Sequence, residues 1–456
     1  MNKHLASIVQ KIGIDKSIAY SSGSRVVQGV TGVVSVLFIT TFLTGVEQGF
    51  YYTFGSILAL QIFLELGLTG IMTQYVAHEA SHLQLDENYQ YVGEEKYKSR
   101  LASLVHFCAR WYFVLSILGF FFLAVIGYIF FSRYSDYDVN AVSWEIPWIL
   151  VCLTTAINIF ISPFVSILMG LGKVKEMSKI GFWQQVVLPV AYWIGFALGL
   201  KLLVPGIASF ISIIIWQVFI WKSGLARIIV NLWKTKISEK VNYIKEIFPY
   251  QWKIAISWVS GYFIFQLFNP VLFATEGAVV AGQMGMTLQI LNAIQAFSMS
   301  WLNTKVPLYS KLIALKDYLQ LDIIFNKTLK QMVFICTMLL IGFGGVVWIL
   351  NVTQLQFNGH ILADRFLSFI PLILMMITVF LNQYTGSWAT YLRCHKREPF
   401  LIISICGALA DGVSTMVLGK SFGLYGITIG YFALTILFFP WGYWIYRTKK
   451  AEWHYE

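Results

Sequence analysis

Along most of this chain the apolar residues follow no short alternation with polar ones. They run on for about 20 positions at a time, the length a helix needs to cross the hydrocarbon layer of a membrane. The runs predict about twelve spans, near residues 22–44, 53–77, 101–131, 145–169, 178–200, 204–222, 249–274, 278–303, 328–350, 361–388, 399–418 and 423–446. Polar residues collect in the gaps, and no stretch remains that is long enough for a separate soluble domain. The opening MNKHLASIVQKIGIDK is polar and carries lysines instead of a short apolar core before a small-residue cleavage site. The first apolar run is therefore expected to stay as a membrane helix, not to be removed as a signal peptide. The expected fold class is an all-α polytopic membrane protein.

An offset of roughly half the chain brings similar features into register, as in internally repeated membrane proteins. Arg25 and Lys253 lie early in the first and seventh runs, and the short turns after those runs carry Glu47 and Glu276. MGLGKVKEM and YLRCHKREPF are matching basic turns, and LVPGIASF matches GLYGITIG. Six helices per half is an even number, so the repeats keep one orientation and form two parallel six-helix lobes. The expected division is an N-terminal lobe over 1–222, a linker over 223–248 and a C-terminal lobe over 249–456. In the linker Leu225, Ile228, Leu232, Trp233, Ile237, Val241, Ile244 and Phe248 recur at helical spacing, with lysines on the other faces. That pattern predicts an amphipathic helix lying on a membrane surface.

Composition agrees: the chain is 57% hydrophobic and 12% charged, with a mean hydropathy of +0.68. Charge adds an orientation. With the N-terminus taken as cytoplasmic, 26 of the 33 lysines and arginines fall in the tails and alternate loops of that side. Only Arg133, Lys201, Arg365 and Lys420 face the other way. The positive-inside rule then places both termini in the cytoplasm of a bacterial cell, the chain crossing the inner membrane many times. Topology and anionic lipid account for the net charge of +11, and the loops are too short for a nucleic-acid-binding module. The five cysteines show neither metal-ligand spacing nor a disulfide framework.

Enzyme chemistry finds little support. GLGKVK lacks the spacing and the hydroxyl residue of a nucleotide-binding loop, and Asp136 and Asp138 sit in a polar turn of about a dozen residues. No cofactor or metal is expected. Ionisable residues inside the spans say more, because a charge at mid-membrane costs on the order of 3 kcal/mol and normally faces a cavity or a partner. Arg25 and Lys253 are candidates to line a cavity, against snorkelling to the interface. Glu65 and Arg110 suit a structural ion pair, while Asp411, and Glu65 again, are candidates for ion coupling. Gln61 on the second run and Gln289, Asn292 and Gln295 on the eighth add polar faces, which either line a cavity or join helices.

Taken together, the early arginine, the GVEQGFYY turn, LELGLTGIMTQYVAH and the MGLGKVKEM and LYGITIG strings resemble the Wzx-type O-antigen and capsule flippases of the multidrug/oligosaccharidyl-lipid/polysaccharide (MOP) exporter superfamily. The resemblance covers the whole chain and implies a MATE-like pair of lobes. It also implies export of undecaprenyl-pyrophosphate-linked oligosaccharide across the inner membrane by alternating access. The implied partners are that lipid-linked oligosaccharide, membrane lipids, a polysaccharide polymerase and other glycan assembly proteins. A cation-coupled multidrug antiporter and a lipid II flippase of the same superfamily are the alternatives, and a membrane enzyme acting on lipid-linked sugars is the alternative of another class.

The charge asymmetry makes a direct prediction. A cysteine placed at Ser135 reacts with an impermeant thiol reagent in intact cells and one at Thr235 does not; equal labelling of the two would overturn the orientation.

Overall fold

The computed structural model describes residues 27–28, 31–32, 34–134, 142–357, 360–395 and 397–455. They form an all-α polytopic membrane protein. Two small antiparallel hairpins, Leu83–Leu85 with Tyr91–Gly93 and Gln356–Phe357 with His360–Ile361, are the strands among the described residues. Eight of the described helices are long and apolar enough to cross a membrane, or nine when the bent pair Gly45–Glu65 and Leu68–Ala80 counts as one span.

The helices begin and break where local chemistry directs. Thr44 and Glu47 form a capping box for Gly45–Leu58: the Glu47 carboxylate accepts from the Thr44 N–H at 2.8 Å and the Thr44 hydroxyl accepts from the Glu47 N–H at 3.2 Å. The run expected as one straight helix over 53–77 is bent by 43° instead. Leu66 and Gly67 both take the left-handed conformation there, with φ of 48° and 68°. Glycine supplies that geometry at little cost, and it interrupts the ladder of hydrogen bonds. Leu401–Tyr455 similarly turns at Gly423 (φ 54°), and Glu276 accepts from the freed N–H of Leu424 at 2.7 Å. Glu95–Tyr134 and Tyr318–Thr353 extend beyond the expected 101–131 and 328–350, since the segments that carry Glu95, Lys96 and Lys98, and Asp322 and Lys327, continue a helix outside lipid as readily as apolar ones do within it.

Leu118, Phe121, Val125 and Ile129, each more than half exposed, run down one face of Glu95–Tyr134. On a soluble protein such a face would drive aggregation; here it is the surface offered to lipid. The described chain groups into two compact units. One comprises Leu58–Ser132 and Ser143–Val259, and the other Gly32–Ile57 and Ser260–Glu456. Residues 32–57 thus make their contacts with the C-terminal helices.

Within the second unit, glycines let backbones touch. A Cβ on Gly49 would lie 1.9 Å from the Ala278 carbonyl oxygen, and one on Gly282 would lie 2.8 Å from the Gly49 nitrogen. Gly285 makes room for the ring of Tyr52 in the same way. Small residues one turn apart produce this close approach between membrane helices.

The segment after residue 222 departs from the single amphipathic helix expected. Leu225–Lys234 is helical, but the chain is extended from Thr235 and resumes as one turn, Tyr243–Ile247. The β-branched Thr235, Ile237 and Val241 disfavour a helix, and the first unit supplies competing partners. The Ser99 hydroxyl accepts from the N–H groups of Ser238 and Glu239, both at 2.8 Å, and Ser103 accepts from Val241 at 3.1 Å. Arg100 then bridges Glu246 at 2.6 Å and the buried Glu79 at 3.1 Å, while Tyr75 donates to the Glu246 carbonyl.

The hydrogen bond from Arg100 holds the Glu246 carboxyl below its ordinary value of 4.5. A carboxyl lowered on folding stabilises fully above its ordinary value, and that contribution is lost as pH falls through the lowered one. Thermal unfolding of the purified chain should therefore show stability falling below pH 4.5, with a shallower fall for Glu246→Gln. Identical pH profiles for the two proteins would contradict the pairing.

Candidate transport site

The polar face expected on the eighth run is present on Ala278–Asn303. Gln289 accepts from the Tyr52 hydroxyl at 2.5 Å and is tied within the second unit. Asn292 is exposed and Gln295 half-buried, and the side chains of both are without hydrogen-bond partners among the described residues. The backbone carbonyl of Gln295 accepts from Gln383 at 3.3 Å, which anchors this stretch to Phe369–Arg393. One amide of the three is structural glue and two are open to a ligand.

Asp411 is 7% exposed, and its Oδ1 has no hydrogen-bond partner among the described residues. Gly412, beside it, meets Phe263, whose ring would lie 3.2 Å from an added Cβ. Asp411 lies in electrostatic reach of the Tyr431 hydroxyl, which accepts from Asn382 at 3.2 Å. A buried carboxylate lacking a full set of donors has one inexpensive remedy, to take up a cation or proton.

The pairing expected of Glu65 and Arg110 does not form: no ion pair joins them among the described residues. Arg110 is on an exposed face of Glu95–Tyr134, and Glu65 is half-buried at the end of Ile62–Glu65, next to the bend. Gln61, one turn earlier in Ala59–Gln61, is also half-buried. Arg25 lies outside the described residues, as does the side chain of Lys253, whose backbone belongs to Phe248–Phe265.

The sequence reading passed over one buried cation. Arg365, 3% exposed, donates to the Leu43 carbonyl at 2.7 Å and to Gln48 Oε1 at 3.4 Å. Gln48 in turn donates to the carbonyls of Gly282 at 2.8 Å and Arg365 at 3.1 Å. Burial holds the guanidinium below its usual range, with the charges of Glu47 and Asp364 opposing that shift. Arg365 was among the few basic residues assigned to the sparse side of the membrane, and that rarity was the available signal.

These features sit on a known fold, that of the transporters of the MOP superfamily. A multidrug resistance MATE family transporter of that superfamily, solved in an inward-facing conformation, superimposes with a TM-score of 0.62 at 12% identity, covering 96% of this chain and 99% of its own. The lipid II flippase MurJ, in an inward closed conformation, gives 0.58 at 14% identity over 93% of this chain and 86% of its own. A MOP superfamily transporter from Pyrococcus furiosus gives 0.50 at 12% identity over 96% and 97%. No family model matches the sequence, and neither does any curated protein.

Proposed function

We propose that this chain is a Wzx-type flippase that carries undecaprenyl-pyrophosphate-linked oligosaccharide from the cytoplasmic to the periplasmic leaflet of a bacterial inner membrane. On this reading the lobes 1–222 and 249–456, joined by 223–248, alternate access to the two sides while both termini stay cytoplasmic. The observation that carries it is the pair Arg25 and Lys253, cations early in the spans that open each half of a chain whose fold is shared with a lipid II flippase. A pyrophosphate needs such charges, since charge-assisted hydrogen bonds are roughly twice as strong as neutral ones, whereas the prenyl tail can stay in lipid. Gln61, Asn292 and Gln295 supply neutral hydrogen-bonding groups beside these charges, while Gln289, expected to join them, is held by Tyr52. A polymerase and other glycan assembly proteins would take up the product.

A second reading, a cation-coupled multidrug antiporter, is favoured by one feature, the buried and incompletely partnered Asp411. The membrane-enzyme reading would require turnover of a lipid-linked sugar by the purified chain.

Arg25→Ala and Lys253→Ala should each reduce surface polysaccharide at least about tenfold, and Arg25→Lys and Lys253→Arg should retain part of it, keeping charge while losing contact geometry. Full export by both alanine variants at normal membrane levels would remove these residues from the site.

Asp411→Asn keeps the shape and removes the charge. If Asp411 couples transport to an ion, accumulation driven by an imposed proton or sodium gradient should be lost in this variant; undiminished accumulation would leave Asp411 a structural role.

A further inference from the structure

The first unit contains a cavity of about 370 Å³, within the range of small-molecule sites. Its walls come from four helices, Leu68–Ala80, Glu145–Gly170, Val174–Ala197 and Val204–Lys222. Thr69, Asn158, Ser162, Ser166, Gln184 and Trp216 are its polar and aromatic members, and no wall residue is charged. Asn158 lies midway along its span and Gln184 near the middle of the next, depths at which an unsatisfied amide is costly.

The hydrogen bonds already made define what an occupant must provide. Ser162 and Ser166 donate to the carbonyls of Ile159 and Ser162, at 2.9 and 3.3 Å, leaving their oxygens free to accept. Gln184 commits its NH₂ to Ser212, at 3.0 Å to the hydroxyl and 3.3 Å to the carbonyl, and keeps its oxygen. The side chains of Asn158 and Thr69 have no partner among the described residues. Trp216 is 7% exposed, and its indole N–H is likewise unpartnered.

Acceptors and donors are thus mixed around an aromatic ring. A metal cation is a poor match, because hard cations are held by carboxylates and no wall residue carries one. A phosphate would find no counter-charge, and an alkyl chain would leave Asn158, Thr69 and the Gln184 oxygen unsatisfied. A hydroxyl both donates and accepts, and several on one rigid ring match such a lining, with the apolar face of that ring against Trp216.

We infer that this cavity is a binding site for an uncharged, hydroxyl-bearing ring, the sugar part of the transported lipid. The inference rests on the flippase reading above and adds to it a division of labour: charge is recognised at Arg25 and Lys253, and the sugar within the first unit alone.

The test uses the full chain in phosphatidylethanolamine–phosphatidylglycerol nanodiscs, titrated with undecaprenyl pyrophosphate and with the same lipid bearing one hexose, one N-acetylhexosamine or one deoxyhexose. At least one sugar-bearing lipid should bind about tenfold more tightly than the bare lipid. Trp216→Leu, which removes the aromatic face from the wall, and Gln184→Leu should bring that ratio toward one while leaving the affinity for bare undecaprenyl pyrophosphate unchanged. Asn158→Ala, at an exposed position, serves as the third variant where either of these fails to fold. A ratio of one for every sugar on the wild-type chain, or an unchanged ratio in all folded variants, overturns the inference and leaves the cavity solvated. Thermal stabilisation by sodium ions that these variants abolish would make it a cation site and overturn it as well. If no undecaprenyl lipid binds, bare or sugar-bearing, the flippase reading itself fails, a result separable from failure of the sugar site.

Discussion

In hydrocarbon there is no water to complete a hydrogen bond, so each backbone N–H and C=O of a spanning segment must be paired within the protein. Helices meet that demand locally, and the side chains here extend the same solution. Thr40, Ser116, Thr154, Ser298, Thr328, Thr337, Thr378, Thr390, Thr428 and Thr435 each donate to a carbonyl three or four positions earlier in their own helix. A hydroxyl satisfied in this way has spent its donor and keeps only its oxygen, as an acceptor. The constraint therefore sorts the polar residues: those that cannot turn back on their own helix must find another helix, another charge or a ligand.

Three such groups stand out. Arg365 and Gln48 satisfy each other and the carbonyls around them, so that this buried charge is structural. Asp411 is only partly answered. Asn158 borders open space in place of a partner, beside the free oxygen of Gln184 and the ring of Trp216. In the first unit the buried carboxylate Glu79 is answered by Arg100 and the cavity wall is neutral, while the second unit holds Arg365 and the incompletely partnered Asp411.

Much of the fold was legible in the sequence, because a run of some 20 apolar residues has few other outcomes. What escaped was decided by single residues or by distant ones. The bend at Leu66 and Gly67 falls inside an unbroken apolar run, and its one local sign is a glycine of a kind that membrane helices often tolerate. The interruption after Lys234 depends on Ser99, more than a hundred residues earlier, whose hydroxyl no periodicity could assign to the N–H groups of Ser238 and Glu239. The amides of Ala278–Asn303 were visible as a stripe, but only their neighbours separate Gln289, held by Tyr52, from the open Asn292. The neutral cavity was least legible, since its walls are spread over four helices and each contributes residues unremarkable alone.

The contact of Gly49 with Ala278 and Gly282 is made by main chain on main chain. Side chains adapt by changing rotamer, so helices that meet through them can slide by small degrees. Two backbones in contact have no such slack. The Gly45–Leu58 and Ala278–Asn303 helices behave like paired teeth, engaged in one register or parted altogether, because packed interfaces change between discrete states and do not deform continuously. A motion that carries residues 32–57 away from the C-terminal helices has to part these backbones, and cannot be absorbed by side-chain rotation alone.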